Sequence, residues 1–467
     1  MIIEQLYTNC LAEAAYYIES NGEVAVIDPL RETEPYIALA AKSGVKIKYI
    51  FETHFHADFV SGHIDLARKT GATIVYGPTA QTGFESHIAT DGEVFHIGNI
   101  TIIALHTPGH TLESTTYLLR DKNGKDYCIF TGDTLFIGDV GRPDLAVKSD
   151  LTQEDLAGML YDSLHNKIMP LADDVIVYPA HGAGSACGKN MSKETFALLG
   201  VQKLTNYALC CSTKEDFIRE VTSGLTPPPQ YFPKNAAMNK SGYENIDIVM
   251  ERGNNPLPPD EFEIAAEHAL ILDVRREQDF VQGFIPGSMF IGLHGQFAVW
   301  AGTLIEDLRQ PILLVAPEGC EHESVQRLAR VGYDNVIGYL KGSFEAWQKV
   351  GKKIEVIPTV SSDEFAQIFN AGETCVIDVR KKSEYDSRHI ENAENSPLDY
   401  INKQFATLPA DKPAYIHCAA GYRSVIAASV LLRKGVRNII NIAGGFSAIC
   451  DCNKIPVTDY TCPASAN

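Results

Sequence analysis

Two histidines and an aspartate lie close together in the segment Thr53–Phe59, which reads THFHADF. The segment follows the apolar run Tyr49–Phe51 and precedes a helical pattern, so it is interpreted as a loop at the end of a strand. Imidazole nitrogens and carboxylate oxygens are common ligands of zinc and of non-haem iron. The spacing of His54, His56 and Asp58 therefore indicates a metal site rather than an ordinary polar surface loop.

Three further polar residues each follow an apolar strand pattern. They are His110 in a TPGH motif, Asp133 in a TGD motif and His181 in a PAHG motif. Strand ends that open onto one edge are the usual place for a site in a layered α/β protein. We therefore expect all of these side chains to converge.

A second candidate site lies in the segment Ile416–Ser424, which reads IHCAAGYRS. Cys418 closes a strand pattern, small residues follow, and a helical pattern begins at Ser424. The backbone N–H groups of such a loop, together with a helix N-terminus, form a cradle for anions and favour the thiolate form of cysteine. The pattern predicts a nucleophilic Cys418, with Arg423 holding an anionic sulfur donor or product.

The ordered set HxHxD, TPGHT, TGD and PAHG over roughly residues 1–240 resembles the metallo-β-lactamase fold, an αββα sandwich. Most members of that family read HxHxDH, and their last histidine binds a second metal ion. Phe59 stands at that place here and cannot bind a metal. The resemblance, with this departure, favours one metal ion held by His54, His110 and Asp133, a ligand set that suits Fe(II) with open positions for O₂.

The mononuclear iron branch of this fold is the persulfide dioxygenases, which oxidise the outer sulfur of a thiol persulfide to sulfite and release the thiol. By this resemblance the cofactor is Fe(II), one per chain, and O₂ is a co-substrate. His56, Asp58 and His181 would then orient ligands or substrate by hydrogen bonds. Arg142 would contact a carboxylate of a substrate such as glutathione persulfide or coenzyme A persulfide, and Cys187 would accept sulfur.

The Cys418 loop resembles the active loop of the rhodaneses, which move a sulfane sulfur through a cysteine persulfide. The resemblance implies that Cys418 is the sulfur carrier and that Gly421 and Tyr422, within the loop, contact the sulfur substrate. A similar copy precedes it, but there Ala316 stands where the cysteine would be, and the loop carries carboxylates that would repel an anion. We interpret the earlier copy as a degenerate rhodanese-like domain that packs against or orients its neighbours.

An internal repeat fixes the organisation of the second half. The run ILDVR at Ile271–Arg275 matches VIDVR at Val376–Arg380, and the similarity continues over about 100 residues, too long for a solenoid repeat. The predicted architecture is a multidomain α/β chain: a sandwich over residues 1–243, a degenerate rhodanese-like domain over 244–356 and a catalytic one over 357–467. We expect an extended, proline-rich connector at Leu225–Pro233, and helices in the first domain at Pro35–Ala41, Asp58–Lys69 and Thr152–Lys167.

Composition excludes several other classes of protein. A net charge of −19 argues against nonspecific binding to nucleic acid or to anionic membranes. No signal peptide and no membrane-spanning run is evident, and the eleven cysteines show no disulfide framework, so a reducing cytoplasm is expected. By analogy with the related fusions of bacterial sulfide detoxification, we expect a homodimer or homotetramer that forms or consumes thiosulfate.

Two alternatives remain open at this stage. One is a thioester hydrolase of the glyoxalase II kind, which usually needs two metal ions, so that Phe59 argues against it. The other is a non-enzymatic sulfur-relay protein with a vestigial metal site, against which the intact set of His54, His110 and Asp133 argues.

Overall fold

Two six-stranded β-sheets face each other in the N-terminal part of the protein. The structure is a computed structural model that describes residues 1–147, 151–189, 191–225, 227–372, 374–409 and 412–460. The first sheet follows chain order through β1 Ile2–Thr8, β2 Glu13–Ser20, β3 Glu23–Ile27, β4 Lys46–Phe51, β5 Thr73–Tyr76 and β6 His87–Ile88. The second sheet contains β7 Val94–Ile97, β8 Ile100–His106, β9 Thr115–Arg120, β10 Asp126–Gly132, β11 Ile176–Pro179 and β12 Ala197–Leu198, with β7 and β12 at its edges.

Helices cover the outer faces of both sheets. The helices of this region are α1 Glu34–Ser43, α2 His63–Thr70, α3 Gln153–Ser163, α4 Leu199–Thr205, α5 Lys214–Thr222 and α6 Phe232–Ser241. Helix α7 Ile246–Gly253 follows them in the chain. An aromatic-rich core that includes Tyr16, Phe51, Tyr117 and Phe130 fills the space between the sheets. Separate apolar clusters join α1 and α2 to the first sheet and α3 and α5 to the second. The predicted αββα sandwich is thus confirmed.

Two predicted elements differ from the structure. The helix expected at Asp58–Lys69 begins only at His63, because the preceding residues bond to the segment after β3: Gly62 N donates to Pro29 O at 2.8 Å, and Ser61 Oγ donates to the same oxygen at 2.9 Å. The predicted extended connector ends early, since α6 begins at Phe232 with a proline in its first turn, where the missing N–H costs nothing. Thr226 of that connector lies outside the described residues.

The second half of the chain carries two parallel five-stranded sheets with the same strand order. The first contains β13 Pro256–Leu257, β14 Leu270–Asp273, β15 Met289–Phe290, β16 Ile312–Val315 and β17 Val336–Leu340, with helices α8 Pro259–Ala266, α9 Glu277–Gln282, α10 Phe297–Leu304, α11 Glu321–Ala329 and α12 Ser343–Lys349. The second contains β18 Thr359–Val360, β19 Cys375–Asp378, β20 Glu394–Asn395, β21 Ala414–His417 and β22 Ile439–Ile442, with helices α13 Ser362–Ala371, α14 Lys382–Ser387, α15 Tyr422–Arg433 and α16 Gly445–Cys452.

The repeat extends to individual side-chain contacts. Arg275 pairs with Asp273 at 2.6 Å, and Arg380 pairs with Asp378 at the same distance. Each guanidinium also stacks on a phenylalanine, at 4.1 Å from the ring centroid in the first copy and 4.0 Å in the second. The duplicated rhodanese-like domain is therefore confirmed.

The chain forms two compact units, one of Met1–Asp247 with Ala329–Gly332 and one of Ile248–Leu328 with Tyr333–Asn467. Apart from Ala329–Gly332, both rhodanese-like copies belong to the second unit. Among the helices described, none is long and apolar enough to cross a lipid bilayer.

Candidate functional sites

Five strand ends bring the histidines and aspartates of the first site together. Asp28 follows β3, His54 follows β4, His110 follows β8, Asp133 follows β10 and His181 follows β11. All five side chains are buried. The predicted convergence is therefore observed, with ligands drawn from both sheets of the sandwich.

His54, His110 and Asp133 form a three-ligand group whose donor atoms lie within 4.8 Å of one another. Nε2 of His110 lies 3.3 Å from Asp133 Oδ2, and Nε2 of His54 lies 3.8 Å from the same oxygen. Both oxygens of Asp133 are buried without a hydrogen-bond partner in the described part of the chain. Because unpaired buried polar atoms are costly, this donor set fits a metal ion.

Hydrogen bonds on the far side fix the orientation of both imidazole ligands. His110 Nδ1 lies 2.9 Å from Arg142 O, a carbonyl that can only accept, so His110 carries its proton on Nδ1 and directs a lone pair on Nε2 toward Asp133. His54 Nδ1 lies 3.0 Å from Thr53 Oγ1, and that hydroxyl donates to Asp28 Oδ2 at 2.8 Å. Burial, followed by the charges of His56 and His110, lowers the pKa of His54 well below its ordinary value, which keeps it neutral for metal binding.

The imidazole of His56 pairs with two carboxylates. Its Nε2 lies 3.0 Å from Asp28 Oδ1 and 3.6 Å from Glu52 Oε2. Burial alone would lower the pKa of His56, but the neighbouring carboxylates, Asp28 foremost, raise it to about 10. Asp28 and Glu52 are site residues that the sequence analysis missed, although Asp28 obeys the same rule of a polar residue directly after an apolar strand.

Asp58 and His181 remain paired beside the three-ligand group. His181 Nε2 lies 3.4 Å from Asp58 Oδ2 and 3.5 Å from Asp133 Oδ1. Burial, followed by Asp133, raises the pKa of Asp58, although His181 partly offsets it. Phe59 is fully buried, with its ring 4.4 Å from that of His56. An apolar ring therefore occupies the motif position at which most family members carry a histidine.

The two predicted substrate residues of this domain have different surroundings. Cys187 is buried, and its sulfur lies within 4.8 Å of ligand atoms of Asp133 and His181. Burial, followed by Asp133, raises the pKa of its thiol well above the ordinary value. The guanidinium of Arg142 makes two hydrogen bonds of 2.7 Å to Asp144 and one of 3.2 Å to Ala186 O. A substrate carboxylate would have to compete with Asp144 for it.

The second site forms where β21 ends and α15 begins. Cys418 is buried, and its sulfur accepts a hydrogen bond of 3.1 Å from the backbone N–H of Gly421. The loop is fixed from behind, because Phe446 N donates to Cys418 O at 2.7 Å. One N–H group of the predicted backbone cradle thus contacts the sulfur.

Arg423 makes a bidentate ion pair with Glu384, at 2.6 and 2.8 Å. Burial would raise the pKa of the Glu384 carboxyl, but Arg423 outweighs it and holds that pKa below its ordinary value. Tyr422 does not point into the loop: its hydroxyl donates to Gly292 O of the preceding copy at 2.7 Å. In that copy Ala316 follows β16 at the place of Cys418.

Comparison with known proteins agrees with both halves of this description. Residues 8–181 match the metallo-beta-lactamase superfamily, and residues 260–350 and 361–452 match the rhodanese-like domain. The chain belongs to the metallo-beta-lactamase superfamily and carries two rhodanese-like domains.

Individual relatives carry different functional names. Human mitochondrial persulfide dioxygenase ETHE1 is 35% identical over 39% of this chain and 68% of its own length. A probable hydroxyacylglutathione hydrolase from Schizosaccharomyces pombe is 30% identical over 40% of this chain and 71% of its own. A solved metallo-beta-lactamase from Staphylococcus aureus subsp. aureus COL matches with a TM-score of 0.66 at 30% identity, over 73% of this chain and 99% of its own. These matches support a metal-dependent enzyme with a sulfur-related role.

Proposed function

We propose that this protein is an Fe(II)-dependent persulfide dioxygenase joined to a sulfurtransferase. The first site would oxidise a low-molecular-weight thiol persulfide according to RSSH + O₂ + H₂O → RSH + SO₃²⁻ + 2H⁺. The observation that carries the proposal is the open group of His54, His110 and Asp133, with Phe59 at the second-metal position, in the same chain as the Cys418 cradle.

His54, His110 and Asp133 would hold the iron. When bound, Fe(II) supplies open coordination positions and electrons for the activation of O₂. Arg142 O and Thr53 Oγ1 keep both imidazoles turned toward Asp133. The burial of the whole group excludes bulk water, which protects a reactive sulfur species from side reactions.

Phe59 and the carboxylate partners of His56 favour one metal ion over two. Asp28 Oδ1 lies 3.0 Å from His56 Nε2 and pairs with it, so this nitrogen is directed toward a carboxylate. Asp58 and His181 are left as a pair beside the iron ligands, suited to orient the substrate by hydrogen bonds.

At the second site, Cys418 would carry the sulfane sulfur. The thiolate takes the outer sulfur from a persulfide, Cys–S⁻ + RSSH → Cys–SS⁻ + RSH. Sulfite then accepts it, Cys–SS⁻ + SO₃²⁻ → Cys–S⁻ + S₂O₃²⁻, and the reverse direction would consume thiosulfate. The Gly421 N–H stabilises the anionic sulfur in each direction.

Glutathione persulfide and coenzyme A persulfide are the proposed substrates, with Arg142 and Cys187 at the iron site and Gly421 in the loop as their contacts. The S. pombe relative is named for a glutathione thioester, which favours a glutathione-type substrate. We also propose a cytoplasmic homodimer or homotetramer that contributes to sulfide detoxification.

Thioester hydrolysis is the second candidate, because a hydroxyacylglutathione hydrolase matches this chain about as well as a persulfide dioxygenase does. That chemistry usually relies on a hydroxide bridging two metal ions. The two candidates thus differ in metal content as well as in substrate.

The test is oxygen consumption by the Fe(II)-loaded protein given glutathione persulfide, with sulfite and thiosulfate quantified in wild type and in Cys418→Ser. A parallel assay supplies S-lactoylglutathione without persulfide. We expect O₂ uptake in both proteins, with sulfite accumulating at the expense of thiosulfate in the variant.

Stoichiometric iron without O₂ uptake on glutathione or coenzyme A persulfide would reject the dioxygenase. Hydrolysis of the thioester in its place would support the second candidate. Equal thiosulfate formation by wild type and Cys418→Ser would reject the sulfurtransfer step alone.

A further inference from the structure

The degenerate copy of the rhodanese-like domain packs directly on helix α15, which begins in the Cys418 loop. Phe290 N donates to Ser429 Oγ at 3.0 Å, and Asn402 Nδ2 donates to Leu304 O at 2.9 Å. Every residue of α15 from Ser424 to Leu431 is buried. A helix that packs only on its own sheet buries a single face. The continuous buried run therefore means that α15 is covered on both faces, and its contacts include β15 of the degenerate copy.

Tyr422 contributes to this contact between the two rhodanese-like copies. Its hydroxyl donates to Gly292 O at 2.7 Å, and its ring lies 5.3 Å from His294 in an edge-on arrangement. The backbone of Gly295 in the degenerate copy lies directly against the Tyr422 ring. A Cβ atom on Gly295 would lie 2.3 Å from that ring. Only glycine allows this approach.

The acceptor of the tyrosine hydrogen bond is itself anchored. Leu293 N donates to Val274 O at 3.0 Å, next to β14, and Arg327 Nη1 donates to Leu293 O at 2.8 Å. Gly292 O is therefore part of the rigid framework of the degenerate copy and not of a free loop.

Within the active loop, Tyr422 lies between two residues that act on the sulfur site. Gly421 donates its N–H to Cys418 Sγ, and Arg423 is the loop cation. Planar peptide units join Tyr422 to both neighbours, so a displacement of its backbone moves the Cα atoms of Gly421 and Arg423 with it.

We propose that the degenerate rhodanese-like copy serves as a positioning platform for the catalytic one, holding the Cys418 loop in its thiolate-stabilising form through the Tyr422–Gly292 hydrogen bond and the close Gly295 contact. Tyr422 is then a positioning residue rather than a substrate contact. This role gives the copy without a catalytic cysteine a reason to keep an intact fold, and it rests on the proposed sulfurtransferase function of Cys418.

The experiment compares full-length wild type with Tyr422→Phe, which keeps the ring, and Gly295→Ala, which perturbs the contact from the other copy. The primary readout is the rate of Cys418 alkylation by iodoacetamide against pH, followed by peptide mass spectrometry. The second is kcat and KM for sulfur transfer from thiosulfate to cyanide. The controls are Tyr400→Phe, an exposed tyrosine of the same copy, and Gly372→Ala, where an added Cβ meets nothing within 4 Å among the described residues.

We expect the alkylation profile of both test variants to move to higher pH and kcat to fall by roughly two- to tenfold, the net worth of one hydrogen bond, while the controls keep the wild-type values. A lower melting temperature with unchanged alkylation profile and unchanged kcat would overturn the proposal, because it would reduce Tyr422 to a packing residue. The alkylation profile is measurable even if the wild type transfers no sulfur, so a failure of the proposed function is distinguishable from a failure of this inference.

Discussion

At the scale of single residues, Phe59 underlies the proposal of one metal ion per chain, because it stands where the two-metal pattern HxHxDH carries its last histidine. It is fully buried, and its ring lies 4.4 Å from that of His56. Two ligands of a second metal position are still in place, since His181 Nε2 lies 3.4 Å from Asp58 Oδ2. The number of metal ions should therefore be sensitive to one substitution.

Phe59→His is expected to raise the metal content from one ion toward two per chain after reconstitution. The new imidazole would restore the HxHxDH pattern next to Asp58 and His181. Inductively coupled plasma mass spectrometry of the folded protein measures this stoichiometry. Phe59→Leu is the matched control, because it stays apolar and should keep one ion; equal metal content in the two variants would contradict the expectation.

The ion pair between Arg423 and Glu384 is the second feature at this scale. The Glu384 carboxylate binds the guanidinium that an anionic sulfur donor would need. Glu384→Gln should lower the KM for thiosulfate by roughly two- to tenfold, the worth of a released charge-assisted bond. Steady-state sulfur transfer to cyanide measures it, with the exposed Glu391→Gln as control. An unchanged KM would mean that the anion does not bind at Arg423.

The same pair has a defined pH dependence. The folded pKa of Glu384 is lowered, so its stabilisation is present above the ordinary carboxyl value of 4.5 and is lost as the pH falls through the lower folded value. The difference in thermal stability between wild type and Glu384→Gln should accordingly shrink below about pH 4.5. A difference that persists at acid pH would show that the substitution acts through packing instead.

At the scale of elements, the sequence was sufficient to predict where the site lies because each candidate ligand follows the end of an apolar strand within four residues. His110 after β8 and Asp133 after β10 could be placed in this way without tertiary information. The helix expected at Asp58 could not be corrected from sequence, because its start depends on hydrogen bonds to Pro29, a residue distant in sequence. The hydrogen-bond partners of Arg142, Arg423 and Tyr422 could not be predicted either. A sequence motif gives the position of a side chain but not the groups with which it pairs.

The loop after β10 carries a prediction at this scale. A Cβ atom on Gly141 would lie 1.9 Å from Asp133 O and 3.0 Å from His110 Nδ1. Gly141→Ala should therefore displace two of the proposed iron ligands together and weaken iron binding about 10- to 100-fold, as disturbance of groups that orient metal ligands does. Competition with a chromophoric chelator measures the affinity.

Gly158→Ala is the matched control for that measurement. Gly158 lies in helix α3, where the added Cβ meets the flexible end of Lys214 at 3.2 Å and Ile218 Cδ1 at an ordinary contact distance of 3.8 Å, and alanine favours a helix. Wild-type iron affinity is expected for it. If Gly141→Ala folds and binds iron as tightly as Gly158→Ala does, the close approach of this loop does not support the ligands.

At the scale of the whole molecule, the proposed fusion joins an enzyme that releases sulfite to one that consumes it. Persulfide, sulfite and thiosulfate are small anions, while the chain itself carries a net charge of −19. The long-range field therefore disfavours retention of these anions near the protein surface. Sulfite made at the iron site should consequently escape to solution and reach a Cys418 of any chain.

Complementation between two chains, each defective at one of the two sites, tests this expectation. Asp133→Asn should lack oxidation but keep Cys418, and Cys418→Ser should make sulfite but no thiosulfate. Mixed with glutathione persulfide and O₂, they should form thiosulfate at a rate that rises with the concentration of the Asp133→Asn chain. In the control, the double variant Asp133→Asn with Cys418→Ser replaces the Asp133→Asn chain in the mixture. This control corrects for the spontaneous reaction of sulfite with persulfide. Thiosulfate no higher than with the double variant would mean that sulfur passes between the two sites without leaving the protein, and the diffusive route would have to be abandoned.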